Sequence, residues 1–154
     1  MNALGLNTKQ TQELTFQLND LLANFQTYYQ NLRGLHWNIK GKNFFELHAK
    51  FEELYRDSQD KVDMIAERIL TLQGVPLHTF SDYVKLSEVP VAEGITKDEK
   101  AVSIIIESLT ILLKIERNIL QLSDEANDEG TNSMISDFIS EQEKTIWMLN
   151  SWLG

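Results

Sequence analysis

The stretch HWNIKGKNFFELHAKFEELYRDSQDKVDMIAER, residues 36–68, carries the patterns from which the fold of this 154-residue chain is predicted. From about Asn43 it reads as one long helix, because no proline or glycine interrupts it before Gly74. Asn43 can cap the start, with Glu46 three positions later in the capping-box arrangement. Apolar residues recur at three- and four-residue steps and form one buried stripe, made of Phe44, Leu47, Phe51, Leu54, Tyr55, Val62, Ile65, Ile69 and Leu72.

Potential metal ligands form a second stripe on the same helix, beside the apolar one. At about 100° per residue, with Phe44 at zero, the apolar residues span roughly 280° to 20° and the polar ones about 40° to 140°. The polar residues are His48, Glu52, Asp63 and Glu67, in two i,i+4 pairs. The pairs lie 11 residues apart, or roughly 16 Å along the axis. One metal ion, with bonds of about 2 Å, cannot bridge them within one chain.

The spacing of the two pairs is palindromic, which predicts that a second copy of the chain completes the site. In an antiparallel pair of these helices with a two-fold axis near position 57.5, residue i faces residue 115 − i. His48 then faces the partner's Glu67, and Glu52 faces the partner's Asp63, giving two equivalent sites across one isologous interface. His36, near the end of the preceding helix, can add a nitrogen ligand. Spacing alone leaves open that these charges are only solvated.

These residues resemble the signature of the Dps family (DNA-binding protein from starved cells), the mini-ferritins of the ferritin-like superfamily. The signature is His-Trp, a second His 12 residues after the first, a carboxylate four later, an Asp 11 beyond it and a Glu four further on. Here these positions hold His36-Trp37, His48, Glu52, Asp63 and Glu67. The family usually has Asp where this chain has Glu52. The resemblance extends through EKTIWML at 143–149.

The resemblance implies an all-α fold: a ferritin-like four-helix bundle of one domain, residues 1–154, with a short extra helix in the long connection between the second and third long helices. It also implies a dodecameric homo-oligomer around a hollow shell, with sites shared between two-fold-related subunits. The implied activity is that of a ferroxidase, which oxidises Fe²⁺ with hydrogen peroxide, stores Fe³⁺ as a mineral and protects against oxidative stress. The implied iron ligands and catalytic residues are His36, His48, Glu52, Asp63 and Glu67, with Trp37 beside the iron as a sink for oxidising equivalents.

Composition restricts the chemistry and the partners. The chain has no cysteine, so disulfides and thiolate metal sites are excluded, and a His, Asp and Glu site suits iron, manganese or zinc. The net charge is −9 and neither terminus carries a basic tail. DNA binding is therefore expected to be weak or absent, since it requires clustered Lys and Arg. The absence of a signal pattern or a long apolar run predicts a cytoplasmic protein without membrane contact.

The bounds of the other helices are predicted from helix-capping residues and from the glycines and prolines that end helices. The first helix is predicted from about Thr8 to Trp37, with Asn7 and Gln10 as a cap pair. Gly74 and Pro76 end the second helix and begin a connection over residues 74–97. The later expectations are a short helix near Phe80–Leu86 capped by Thr79 and Asp82, a third long helix over about Lys97–Glu125 with Thr96 and Glu99 as a capping box, and a last helix ending near Trp152.

Two further acids precede or lie in the last helix, Asp128 and Asp137. Acids at a helix start usually serve as caps or interact with the helix dipole. The resemblance implies a different role, in which acids of this region line three-fold pores and attract Fe²⁺ by electrostatic focusing. His78, in the long connection, is expected to be a surface residue.

Several function classes find no support in the sequence. Ferritins that hold a di-iron centre inside one bundle use two Glu-x-x-His motifs, and this chain has none. No phosphate-binding glycine loop and no supported Ser or Cys nucleophile is present. Two alternatives to a ferroxidase stay open, a nucleoid-binding stress protein with little catalysis and a helical interaction module whose acidic stripe only faces solvent.

Overall fold

The computed structural model describes all 154 residues, and its only regular elements are helices. They are α1 (Thr8–Asn38), α2 (Phe44–Thr71), α3 (Phe80–Leu86), α4 (Asp98–Glu125) and α5 (Glu129–Leu153). Four long helices and one short helix in the long connection confirm the predicted fold class. None of the helices combines the length and the apolar character needed to cross a membrane.

Each long helix runs antiparallel to its neighbours in the bundle. The start of α1 contacts the end of α4, where the Gln10 side chain donates to the Glu125 carbonyl. Beyond the other end of α1, the Lys40 amide donates to the Thr96 carbonyl just before α4. Because α2 returns along α1, residues 72–97 must cross the whole bundle before α4 begins. The long connection is therefore a crossover, as its length predicted.

Three asparagines on α1 hold this crossover against the bundle. Asn19 accepts from the Leu77 amide, and Asn31 accepts from the Ala92 amide, at 2.8 and 3.0 Å. Asn24 is fully buried and accepts from two successive amides of the crossover, at residues 88 and 89. These bonds satisfy backbone groups that have no partner in a helix or sheet.

The core lies between the four long helices. The predicted α2 stripe is confirmed, since six of its nine members are buried and the other three pack against the core. Phe25 packs edge-to-face on both Tyr28 and Phe138, with ring centroids about 6 Å apart. Burial of such side chains is the main stabilising contribution, at about 1.5–3 kcal/mol for each large apolar side chain.

The helix caps are partly as predicted. Asn7 and Thr79 cap α1 and α3 through their side chains. The predicted cap at Asn43 is wrong, because its amide donates to the Asp98 carboxylate at 2.7 Å and ties the start of α2 to the start of α4. The predicted capping box of Thr96 and Glu99 is also wrong, since α4 begins after Lys97 without a side-chain cap. A cap motif shows which side chains could cap a helix, but the same side chain can instead bond a residue of another helix.

Candidate metal centre

His36 and His48 come together where α1 ends and α2 begins. Their rings stack with centroids 3.7 Å apart and planes 10° from parallel. Each ring bonds the backbone of the other residue: His36 Nδ1 lies 2.6 Å from the His48 carbonyl, and His48 Nδ1 lies 2.7 Å from the His36 carbonyl. The pair of bonds locks both imidazoles in one orientation.

These two bonds also decide which ring nitrogen is free. A carbonyl oxygen can only accept, so each Nδ1 must carry the hydrogen and donate it. The Nε2 of each neutral ring is then left with a lone pair, as a metal ligand requires. A backbone carbonyl that fixes the tautomer is the usual second partner of a metal-binding histidine.

Two aromatic rings support the histidine pair. Phe44 stacks on His48 at 4.8 Å, and Tyr55 meets His36 edge-on at 5.4 Å. His36 is buried, whereas His48 is half-buried. Phe44 and Tyr55 belong to the apolar stripe of α2, so the packing that builds the core also positions the imidazoles.

Glu52 lies one helical turn after His48. Its carboxylate pairs with Arg56 at 2.7 Å, and the hydrogen bond from Arg56 holds the pKa of Glu52 below its ordinary value. Glu52 is therefore an anion at neutral pH. Both side chains of the pair are more than one-third exposed, and such surface pairs contribute little stability. A metal ion can replace the arginine as the partner of this carboxylate at small cost.

Asp63 and Glu67 lie further along α2, and both are exposed. The chain gathers no group of three or more His, Asp and Glu side chains that could hold a metal ion by itself. The histidines and Glu52 make one half of the predicted ligand set, while Asp63 and Glu67 make the other. Completion by a second copy of the chain stays a prediction.

Asp128 is not placed as a pore acid. It is 2% exposed, caps α5 by accepting from the Thr131 amide, and forms an ion pair with Arg68 of α2. Assembly can only bury a side chain further, so this carboxylate cannot line a pore in the present conformation. Asp137 is exposed on α5 and stays a prediction for that role. His78 is exposed, as expected.

The sequence reading missed one polar cluster, which lies inside the bundle. Glu116 of α4 is completely buried, and the Gln142 amide donates to both of its oxygens at 2.6 and 2.7 Å. Lys61 of α2 is also buried and forms ion pairs with Asp57 and Glu141. The available signal was a glutamate within the apolar run of α4, three positions before the buried Ile119.

Comparisons with known proteins show the family to which this chain belongs. The Ferritin-like domain family matches residues 16–154. The chain is 40% identical over 152 residues to a DNA protection during starvation protein of Porphyromonas gingivalis, covering 99% of this chain and 96% of that one. It is 35% identical over 144 residues to General stress protein 20U of Bacillus subtilis, covering 94% of this chain and 99% of the relative.

Solved structures give the same result. The Dps protein of Vibrio cholerae O1, described as a member of a broad superfamily of ferritin-like diiron-carboxylate proteins, superposes with a TM-score of 0.98 at 50% identity, covering 100% of this chain and 97% of that one. A Dps protein of Bacillus brevis superposes with a TM-score of 0.92 at 33% identity, covering 96% and 99%. With its His36/His48 signature and its helical bundle, the chain belongs to the Dps family of ferritin-like proteins.

Proposed function

We propose that this protein is an iron-sequestering ferroxidase, which oxidises Fe²⁺ with hydrogen peroxide and stores Fe³⁺ as a mineral inside a dodecameric shell. The observation that carries the proposal is the locked His36/His48 pair, whose two Nε2 atoms are free while both Nδ1 atoms are bonded to backbone. Imidazole and carboxylate ligands together suit iron. The relatedness to ferritin-like diiron-carboxylate proteins supports iron as the metal.

Each residue has a defined task in this reaction. The two imidazoles and Glu52 bind Fe²⁺, and the partner's Asp63 and the partner's Glu67 complete the ligand set. Two Fe²⁺ ions give one electron each to hydrogen peroxide, which takes up two protons and leaves as two water molecules. Carboxylates stabilise Fe³⁺ more than Fe²⁺ because Fe³⁺ carries one more positive charge, and this difference favours oxidation at the site. Trp37 is 56% exposed beside Arg33, 4.8 Å from the guanidinium carbon, and is proposed to take up stray oxidising equivalents.

The acidic balance of the chain suits a shell that accumulates iron. A net charge of −9 raises the local concentration of cations by electrostatic attraction. Asp137 is the proposed acid on the iron route, and slower iron uptake by an Asp137→Asn shell would support that role. Peroxide and Fe²⁺ are removed together, which prevents their reaction to hydroxyl radical.

Asp63→Ala is expected to lower the initial rate of iron oxidation by about tenfold or more, because loss of a ligand costs at least as much as loss of an outer-shell partner. Asp63 is exposed and makes no ion pair within the chain, so the fold and the shell should persist. The measurement is anaerobic loading with Fe²⁺ followed by peroxide, with ferric absorbance and peroxide consumption recorded together.

Asp60→Ala is the matched control, since Asp60 is another exposed acid of α2 outside the predicted ligand set. It should oxidise iron at the natural rate, and size-exclusion chromatography should give the same particle for all three proteins. An Asp63→Ala shell that oxidises Fe²⁺ as fast as the natural one would show that the site assignment is wrong.

We propose that direct binding to DNA is weak or absent, so that any protection of DNA comes from removing iron and peroxide. The net charge of −9 supports this, because phosphate binding needs clustered cations. A gel mobility shift at low and moderate salt should show no retained complex at moderate salt. A shift that survives moderate salt would instead favour a nucleoid-binding role.

A further inference from the structure

The segment of α2 that carries the candidate ligands Asp63 and Glu67 is tied to α5 at both of its ends. At the first end, Lys61 is buried and its Nζ lies 2.6 Å from a carboxylate oxygen of Glu141. At the other end, about two helical turns further along α2, Arg68 reaches the start of α5. The candidate ligands lie between these two attachments, so side chains of α5 fix the course of the helix that carries them.

The Arg68 bridge consists of the bonds from the Arg68 guanidinium to Asp128 and Thr131 at the start of α5. The guanidinium forms an ion pair with the Asp128 carboxylate, and its Nε donates to the Thr131 hydroxyl at 2.9 Å. Asp128 also accepts from the Thr131 amide at 3.1 Å, so one carboxylate serves both the helix cap and the bridge. Asp128 and Thr131 are both buried, and a buried network whose members are all bonded holds one geometry.

The guanidinium of Arg68 lies directly against Gly130. A β-carbon at position 130 would come within 2.8 Å of both terminal guanidinium nitrogens and 2.9 Å of the carbon between them. Non-bonded atoms do not approach so closely, so an alanine at this position would displace the guanidinium. Glycine inside a helix is unfavourable relative to alanine, and the contact with Arg68 gives a physical reason for a glycine in the first turn of α5.

Glu67 lies about one turn before α2 ends at Thr71. Its side chain is exposed and makes no ion pair within the chain, so the position of its carboxylate depends on the helix that carries it. Helix ends fray, whereas a metal ligand must be held within about 0.5 Å of its productive position. The buried Ile69 and Leu72 hold the same turn through apolar contacts, but such contacts are non-directional. The directional bonds of Arg68 fix the rotation of the turn.

We propose that Arg68 is a positioning residue of the metal centre, which fixes the end of α2 through Asp128 and Thr131 and thereby holds Glu67 in the geometry that a metal ion requires. Arg68 does not touch the metal ion and acts only through Glu67. The inference rests on the proposed function, because it takes Glu67 as a ligand that one chain gives to the site of its two-fold partner.

Gly130→Ala tests the bridge without any change in α2. The added methyl group displaces the guanidinium, while alanine favours the helical conformation of α5. Zinc suits a site of His, Asp and Glu and has no redox chemistry, so its binding to the assembled shell is measured by isothermal titration calorimetry. The sites counted are those that disappear in His48→Ala. Their zinc affinity should fall about fivefold in Gly130→Ala.

A double-mutant cycle shows whether this effect passes through Glu67. Glu67→Gln alone should lower zinc affinity by about tenfold or more, and Gly130→Ala should then cause no further loss. Ser133→Ala is the matched control, since Ser133 is exposed in the same turn region of α5 and takes no part in the bridge. It should bind zinc as the natural shell does, because a gain in helix propensity alone does not move Arg68.

A second variant removes the bridge from both ends. Arg68→Met combined with Asp128→Asn leaves no unpaired buried charge, and asparagine still caps a helix. It should lower zinc affinity as Gly130→Ala does. Unchanged affinity in either variant would overturn the proposal, as would an equal loss from Gly130→Ala with and without Glu67→Gln. A Glu67→Gln shell that binds zinc as tightly as the natural one would show instead that the ligand assignment of the proposed function is wrong.

Discussion

Shells assembled from equal amounts of His48→Ala and Asp63→Ala chains are expected to reach about one quarter of the natural iron-oxidation rate, although each variant alone is expected to keep about one tenth or less. Each proposed site takes its histidine half from one chain and its Asp63/Glu67 half from a two-fold partner. An intact site forms when an Asp63→Ala chain gives the histidine half and the partner is a His48→Ala chain. The chain that gives the histidine half is Asp63→Ala with a probability of one half, and its partner is His48→Ala with a probability of one half. One quarter of the sites are therefore intact.

The expected recovery depends on the geometry of the half-site. His36 and His48 orient each other through reciprocal backbone bonds, so a chain that keeps both histidines presents a complete nitrogen half whatever its partner carries. A single chain gathers no group of three His, Asp or Glu side chains that could hold a metal ion, so activity without a partner is not expected. The measurement is the initial rate of ferric absorbance in co-expressed shells.

Two controls make the result specific. Homogeneous shells mixed after assembly should stay inactive, because their chains are already partnered. Co-assembly of His48→Ala with Glu52→Ala chains should also stay inactive, because both lesions fall in the same half and no pairing restores it. A His48→Ala and Asp63→Ala mixture that regains no activity would show that the site is not shared between subunits.

Glu116→Gln is expected to be more stable than the natural chain at pH 9 by a few kcal/mol, up to about 5. Glu116 is completely buried and its only side-chain partner is the Gln142 amide. Burial raises the pKa of Glu116 from 4.5 to about 8, against the opposing effects of Gln142, Lys61 and Arg117. Glutamine has the same shape and no charge to bury.

The pH dependence follows from the direction of this shift. The folded chain binds the Glu116 proton more tightly than the unfolded chain does, so the stability from this group is complete below pH 4.5 and is lost as the pH rises through about 8. The two proteins should therefore have similar Tm values near pH 4.5. By pH 9 the natural chain should have the lower Tm, by about 10 °C.

The Tm series is recorded at one protein concentration, because assembly makes Tm concentration-dependent. Glu107→Gln is the control, since Glu107 is exposed on the same helix and loses no buried charge. Its Tm should follow that of the natural chain at every pH. If the Glu116→Gln difference were constant from pH 5 to pH 9, Glu116 would not be held as the neutral acid.

Local patterns in the sequence predicted most of the fold. The period of apolar residues placed the long helices, and the prediction of a short helix at Phe80–Leu86 matches α3. The wrong cap at Asn43 concerns a side chain with two possible partners, since it bonds Asp98 of α4 instead of its own helix. Asp128 has the capping role that is usual for an acid at a helix start, and it also pairs with Arg68. The spacing of residues in the sequence cannot tell whether a side chain caps its own helix or bonds a residue of another helix.

The candidate metal site was likewise predicted in part from local spacing. Spacing predicted the candidate ligands of α2, since i,i+4 positions on a helix share a face, and the resemblance to the Dps family added His36. It did not reveal that each imidazole bonds the backbone of the other residue, because His36 and His48 lie on different helices and meet only when α1 and α2 pack. The free Nε2 atoms follow from those bonds.

From the sequence alone the helical bundle could be predicted, and the structure confirms it, because helical periodicity is a property of consecutive residues. The ligand set and its completion by a symmetry-related chain stay predictions. The histidine tautomers, the burial of Asp128 and the buried Lys61 and Glu116 cluster could be seen only after the helices were packed together. Those features depend on which side chains from distant parts of the chain share one dry interior, and there the cost of burying a polar group is set by its partners.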